Sequence, residues 1–247
     1  AENRFRLKPE QVLEAITERT RAIIIGYPNN PTGATMDYED YAALVEVLKD
    51  KDIVVISDEL YAELTYHGKH VSIARFPEMK YKTIVINGFS KAFAMTGWRI
   101  GFVCCNAEIL EQMKKIHQYA LMCSPTTAQY AAIEALRNGD DEVRRMTDEY
   151  NRRRLVMVDG LRKAGLDCFE PVGAFYVFPD ITSTGLSSDS FCERLLMEEK
   201  VLMVPGNAFG ACGEGFVRAT YATSIENIRE ALTRIARFVE RVKNEKK

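Results

Sequence analysis

The sequence predicts an α/β chain with a mostly parallel sheet, closing in a smaller α+β region. Two observations carry this. Three apolar runs, AIIIGY (22–27), IVVIS (53–57) and TIVING (83–88), are short, rich in β-branched residues and separated by helix-length segments, the pattern of strands buried in a parallel sheet. From about residue 163 onward, short strands alternate irregularly with helices, which suits an α+β arrangement.

The first two runs flank a segment, 38–48, that puts Tyr41, Leu44, Val45 and Leu48 on one stripe; this predicts an amphipathic helix and completes a βαβ unit. RIGFVCC (99–105) follows the third run too closely for a crossover helix, so it pairs as an antiparallel neighbour and makes the sheet mixed. Residues 107–162 read as helical, broken at CSPTT (123–127) and at NGDD (138–141), where Asp141 can cap a new helix. The polar stretch 148–154 reads as a hinge, dividing the chain into a partial large domain (1–148) and a C-terminal small domain (149–247). In the latter, strands are expected near 167–169, 173–178, 201–204 and 216–222, with helices over 188–200 and 226–242. The last helix carries Ile228, Leu232, Ile235 and Val239 on one face, and KNEKK reads as a frayed tail.

The 247 residues suffice for a substantial core, and 47% hydrophobic and 28% charged residues exclude disordered or fibrous chains. Thirty-three basic against 35 acidic residues leave no electrostatic footprint for nucleic acid or an anionic membrane. No run approaches the roughly 20 apolar residues of a membrane span, and the polar opening lacks the order of a signal peptide, so a cytoplasmic protein is expected. The six cysteines, without a C-x-x-C pair, read as free core thiols. His67 and His70 have no third ligand nearby and read as surface loop, so no metal is assigned; the arginines at 144, 145 and 152–154 read as a solvated helix face.

Ligands of a parallel sheet lie beyond the carboxyl ends of its strands. The three runs end in PNNPTG, DELY and FSKAFAMTGWR, which puts Asn30, Asp58, Tyr61, Ser90, Lys91 and Arg99 within reach of one crevice. At any single strand end a turn, a helix cap or a solvated lysine explains the residue as well. Jointly, a carboxylate, a phenol, an amide, a lysine and an arginine suit an aromatic cofactor with a basic ring nitrogen, a phenolic oxygen, an aldehyde and a phosphate. Pyridoxal phosphate has those groups.

NNPTG (29–33), SDELYAEL (57–64), NGFSKAFAMTGWRIGF (87–102), GAFYVFPDI (173–181), VPGNAFG (204–210) and FVRATYATS (216–224) resemble, in order and spacing, the class I/II pyridoxal-phosphate aminotransferases of fold type I. The likeness is strongest to bacterial and archaeal aspartate and aromatic aminotransferases. The resemblance implies the fold type I large domain with a C-terminal α+β small domain, a homodimer, and reversible amino transfer between an L-amino acid and a 2-oxo acid. A β-lyase of the same fold, or an inactive fragment, is the alternative.

It also implies roles. Lys91 would hold the cofactor covalently and then act as general base; Asp58 would pair with the pyridine nitrogen; Tyr61 and Asn30 would hydrogen-bond the phenolic oxygen. Arg99, with Ser90, would grip the phosphate, and Arg218 would clamp the substrate carboxylate through a bidentate pair. Asn30 is counted with Arg218 as substrate-binding. Many relatives have serine where this chain has Gly88. Trp98 and Phe175 read as packing; Tyr176 reads as packing first, with contact to the site as the alternative. The resemblance further implies that the chain corresponds to the C-terminal part, roughly 60%, of such an enzyme, without the N-terminal phosphate loop, the ring that stacks on the cofactor and much of the dimer contact.

Overall fold

The computed structural model describes residues 3–245, in two compact units: residues 3–29 with 34–147, and residues 30–33 with 148–245. The chain passes from the first unit to the second after residue 147, and Asn30–Gly33 belongs with the C-terminal unit.

The first unit is built on a four-stranded sheet, β1 (Ala22–Gly26), β2 (Val54–Asp58), β3 (Thr83–Gly88) and β4 (Gly101–Cys104), in that order. β1, β2 and β3 are parallel and β4 is antiparallel to β3. The mixed sheet is therefore the one the sequence predicts. β4 starts at Gly101 because Arg99 has a left-handed φ of 54° that ends the 3-10 turn Thr96–Trp98. The helix α2 (Tyr38–Leu48) matches its apolar stripe: Tyr41, Leu44, Val45 and Leu48 are all buried. Its start is fixed by a reciprocal cap, in which Asp40 N–H donates to Asp37 Oδ1 and Asp37 N–H to Asp40 Oδ2, both at 3.0 Å. Arg6 Nη1, 2.7 Å from Asp37 and 2.8 Å from Asp40, offsets the repulsion between the two carboxylates. A short helix, α1 (Pro9–Ala15), precedes β1; with Val12 as its one buried residue, it has almost no apolar periodicity to announce it.

Helices α3 (Ala107–Ala120), α4 (Thr126–Asn138) and α5 (Asp140–Lys163) fill the expected helical region. Asp141 does not cap α5. It lies in the first turn and pairs with Arg144. Residues 148–154, read as a hinge, are helical within α5 and held by ion pairs of Glu149 with Arg152 and Arg153 at 2.8 and 2.7 Å. Arg154 departs from the solvated face altogether and is 1% exposed.

The second unit contains β5 (Asp167–Cys168) paired with β7 (Pro179–Asp180), and a three-stranded antiparallel sheet in the order β6 (Tyr176–Val177), β9 (Val217–Thr220), β8 (Val204–Pro205). The strand expected over 173–178 shrinks to β6 because Ala174 has φ 55°, which no ladder residue adopts. Helices α6 (Ser188–Glu199) and α7 (Ile225–Glu245) complete it. The predicted face of α7, Ile228, Leu232, Ile235 and Val239, is buried, and Phe238 meets Phe191 of α6 edge to face at 5.2 Å. Residues 243–245 of the expected frayed tail are helical, Lys243 Nζ donating to Gly165 O and Glu245 pairing with Arg194; residues 246 and 247 lie outside the described residues.

Of the six free thiols only Cys168 and Cys192 are buried; Cys104, Cys123 and Cys212 are exposed and Cys105 is half-buried, so most are not core thiols. Burial pushes the Cys168 and Cys192 thiols up to about 12.

Gly33 ends the loop 30–33 with φ +71°, and its carbonyl accepts the N–H groups of Val172 and Gly173 at 2.9 and 3.0 Å. A Cβ there would crowd Pro171 and stand 2.8 Å from the Tyr176 carbonyl oxygen. Gly33→Ala therefore combines backbone strain with a clash and is expected to cost about 2–3 kcal/mol in urea unfolding. An unchanged midpoint would show that the loop yields.

Candidate active site

In the first unit the strand ends supply the side chains. Inward residues of β2 alternate, Val55 and Ser57 being buried, and Asp58 ends the strand half-buried on the other face. The chain then turns: Asp58 Oδ1 accepts the N–H of Leu60 at 3.1 Å, Ala62 N–H donates to Glu59 O and Leu64 N–H to Tyr61 O, both at 2.9 Å. Tyr61 is buried in this turn.

β3 runs out through Gly88 and Phe89 into a second turn holding Ser90 and Lys91, closed by Ala94 N–H to Lys91 O at 3.2 Å and Met95 N–H to Phe89 O at 3.2 Å. Lys91 Nζ lies 5.6 Å from the centre of the Tyr61 ring, within cation–π reach. Gly88 is where β3 and β4 approach: a Cβ would stand 3.0 Å from Gly101 Cα and 3.2 Å from Ile100 O. Ser90 and Arg99 line one cavity of about 570 Å³ together with Asn87, Phe102, Lys114 and His117. Arg99 is exposed, its Nη1 donating to Thr96 O at 2.9 Å, and Thr96 Oγ1 donates to Ser90 O at 3.0 Å.

In the second unit Arg218, on β9 opposite Val204 of β8, donates from Nη1 to Asn30 Oδ1 at 2.7 Å. Its guanidinium carbon lies 4.5 Å from the centre of the Tyr176 ring and 4.8 Å from that of Phe209. Tyr176, expected as packing, is thus a direct neighbour of the arginine, and Phe209 is a further one that sequence reasoning missed. The signal was present in GAFYVFPDI and VPGNAFG, whose aromatic residues sit on segments paired with or next to β9. Trp98 is 46% exposed and is not core.

A second group went unread. Glu59, 5% exposed, accepts from Ser57 Oγ at 2.9 Å and Ser72 Oγ at 2.6 Å and pairs with His70 Nε2 at 2.9 Å. Burial pulls its carboxyl upward, but the hydrogen bonds from His70 and Ser72 and the charge of His70 outweigh this and hold it below the usual carboxylate range. His70 is therefore not a surface-loop residue: its side chain is 13% exposed and is spent on this pair.

Residues 1–235 match the family described as Aminotransferase class I and II. The chain belongs to that family. Class I and II relatives include the aspartate aminotransferase of Pyrococcus abyssi, 46% identical over 249 residues covering 100% of this chain and 63% of the relative. The aromatic-amino-acid aminotransferase 2 of Thermococcus litoralis is 44% identical, with the same shares covered. Among solved structures, the aromatic aminotransferase from Pyrococcus horikoshii superimposes with a TM-score of 0.95 at 44% identity, covering 97% of this chain and 65% of that one. The aspartate aminotransferase from Thermus thermophilus with maleate gives 0.89 at 40% identity, covering 96% and 61%. The chain thus has the fold type I aminotransferase architecture over its described length, and it spans about 63% of the curated relatives just named.

Proposed function

We propose that this class I/II chain belongs to a pyridoxal-phosphate-dependent aminotransferase that moves an amino group reversibly from an L-amino acid to a 2-oxo acid. Aspartate or an aromatic amino acid is the substrate class favoured by the relatives' names. The observation that carries the reading is the proximity of Lys91 to Tyr61, 5.6 Å from ammonium to ring centre, beside the strand end that bears Asp58.

The donor set suits the cofactor. Lys91 offers an amine for its aldehyde, Asp58 a carboxylate for its ring nitrogen, Tyr61 a phenol for its ring oxygen, and Ser90 and Arg99, which share one cavity, a hydroxyl and a guanidinium for its phosphate. When bound, the cofactor supplies an electron sink for the carbanion left by the departing α-proton. Lys91 would take that proton at Nζ and hold it for return during the transfer. Asp58 holds a proton at the ring nitrogen, and its bond to Leu60 N–H fixes the carboxylate that does so. Arg218, with its fork flanked by Tyr176 and Phe209 and oriented by Asn30, binds the substrate carboxylate.

We extend the proposal to a cytoplasmic homodimer. The six free thiols suit a reducing compartment, and no helix among the described residues is long and apolar enough to cross a membrane. Exposed Ile116, Tyr119, Leu121 and Met122 offer apolar surface for a second copy.

The test is direct. The purified protein mixed with pyridoxal phosphate is expected to give a visible absorbance band that depends on Lys91, and the band is expected to change on adding aspartate or tyrosine. No Lys91-dependent band would defeat the cofactor assignment; a band without exchange of amino groups would favour an inactive fragment.

A further inference from the structure

We propose that Ser57, Glu59, His70 and Ser72 form a positioning cluster that holds the turn carrying Asp58 and Tyr61 in a single geometry toward the cofactor. The inference rests on the cofactor reading above and deepens it by naming what orients two of its residues from behind.

Glu59 follows Asp58 directly, so the alternation of the extended backbone sends the two carboxylates to opposite faces. Asp58 stays half-buried while Glu59 goes inward with Ser57. There its two oxygens take all three available donors: Oε1 accepts from Ser57 and Ser72, and Oε2 pairs with His70. Ser72 is itself fixed, its Oγ accepting Ala74 N–H at 3.2 Å at the start of a 3-10 turn whose Ile73 is fully buried. The main chain of Glu59 extends the tie: its N–H donates to Ile86 O at 2.9 Å, on the strand that leads to Lys91, and its carbonyl accepts Ala62 N–H. One residue therefore joins β2, β3 and the segment 70–72, and the turn 58–64 hangs from it.

Packing alone does not call for this arrangement. A buried ion costs several kcal/mol of desolvation, and an apolar residue of similar volume fills such space as well or better. What the charged cluster adds is direction. Three hydrogen bonds from three separate points leave the Glu59 side chain one orientation, which sets the peptide planes on either side of it. Those planes place the Leu60 N–H that holds Asp58 Oδ1 and the turn in which Tyr61 is buried. Groups that bind charge at a fixed point need such support, because small errors of placement weaken them steeply.

The experiment compares Glu59→Ala, Glu59→Gln and His70→Gln with the unsubstituted protein by two measurements. Hydrogen exchange read by mass spectrometry on peptides spanning 57–66 is expected to quicken about ten-fold in Glu59→Ala, the equivalent of one lost hydrogen bond to a charged group, with peptides from β1 and α7 unchanged. Binding of pyridoxal phosphate, followed by the Lys91-dependent band, is expected to weaken by about ten-fold in Glu59→Ala, as when supporting residues of other charged sites are removed. Glu59→Gln keeps an acceptor for the two serines and is expected to recover much of both, as is His70→Gln. Should Glu59→Ala not fold, Ser72→Ala, which removes the 2.6 Å donor to Glu59 Oε1, carries the same test, with faster local exchange and weaker cofactor binding expected together. Unchanged exchange, exchange that quickens across the whole sheet in step with lower thermal stability, or faster local exchange with unaltered cofactor binding would each overturn the proposal and leave an ordinary core cluster. If the unsubstituted protein gives no Lys91-dependent band, the parent reading fails and this one with it, and the absorbance measurement, not the exchange data, will have shown it.

Discussion

Lys91→Ala is expected to lower amino-group transfer by at least about ten-thousand-fold, the upper range for loss of a positioned acid–base group, and to remove the visible band, while thermal unfolding stays nearly unchanged. In the proposed reaction the amine has two tasks that no neighbour could take over: holding the cofactor covalently and moving the substrate's α-proton. Its contribution to the fold is by contrast small. Its approach to the Tyr61 ring at 5.6 Å is worth about 0.5–1 kcal/mol at a partly exposed site. Lys91→Arg separates charge from chemistry, because a guanidinium keeps the positive charge beside Tyr61 but stays protonated and cannot act as nucleophile or base. Activity in either variant within about ten-fold of the unsubstituted protein would remove Lys91 from the reacting groups.

The elements that set up this site were legible for a simple reason. Strands of a parallel sheet are apolar on both faces, so AIIIGY, IVVIS and TIVING stand out even though Ile24 of β1 is 75% exposed, and their ends are where polar residues can serve a ligand. The stripe on α2 and that on α7 were legible because each helix buries only one side. What stayed unread depends on partners distant in the chain. His70 looks like loop because its partner Glu59 is eleven residues away and the burial of the pair follows from the turn between them. Tyr176 looks like core until β6 pairs with β9 and brings Arg218 over its ring. Arg154 sits among arginines that do face solvent, and periodicity alone could not single it out. Trp98 errs the other way: aromatic rings are usually buried, yet this one lies on a 3-10 turn with 46% of its surface exposed.

Arg154→Ala is expected to destabilise the C-terminal unit by about 3–4 kcal/mol, the range for removing one partner of a buried, hydrogen-bonded charge, lowering the melting midpoint by roughly 10 °C for a chain of this size. Its Nε donates to Asn151 Oδ1 at 2.9 Å, and Nη1 donates to Glu170 Oε1 at 2.8 Å and to the Pro171 carbonyl at 2.9 Å. Truncation opens a cavity and leaves the Pro171 oxygen without this donor. Arg154→Met refills most of the volume without the donors, so it is expected to recover about half of the loss, the remainder being the unmade hydrogen bonds. Full recovery by Met would show that the guanidinium is only filler. The consequence reaches the proposed carboxylate clamp through covalent and packing links within the same unit. Arg154 fixes Pro171; Pro171 and the N–H groups of Val172 and Gly173 fix Gly33; and the loop ending at Gly33 begins at Asn30, which orients Arg218. Because each link loosens the next rather than removing it, Arg154→Met is expected to raise KM for the amino-acid substrate several-fold with little change in kcat, the signature of weakened binding that is equal in ground and transition states. A fall in kcat with KM unchanged would place the effect of Arg154 elsewhere than in the clamp.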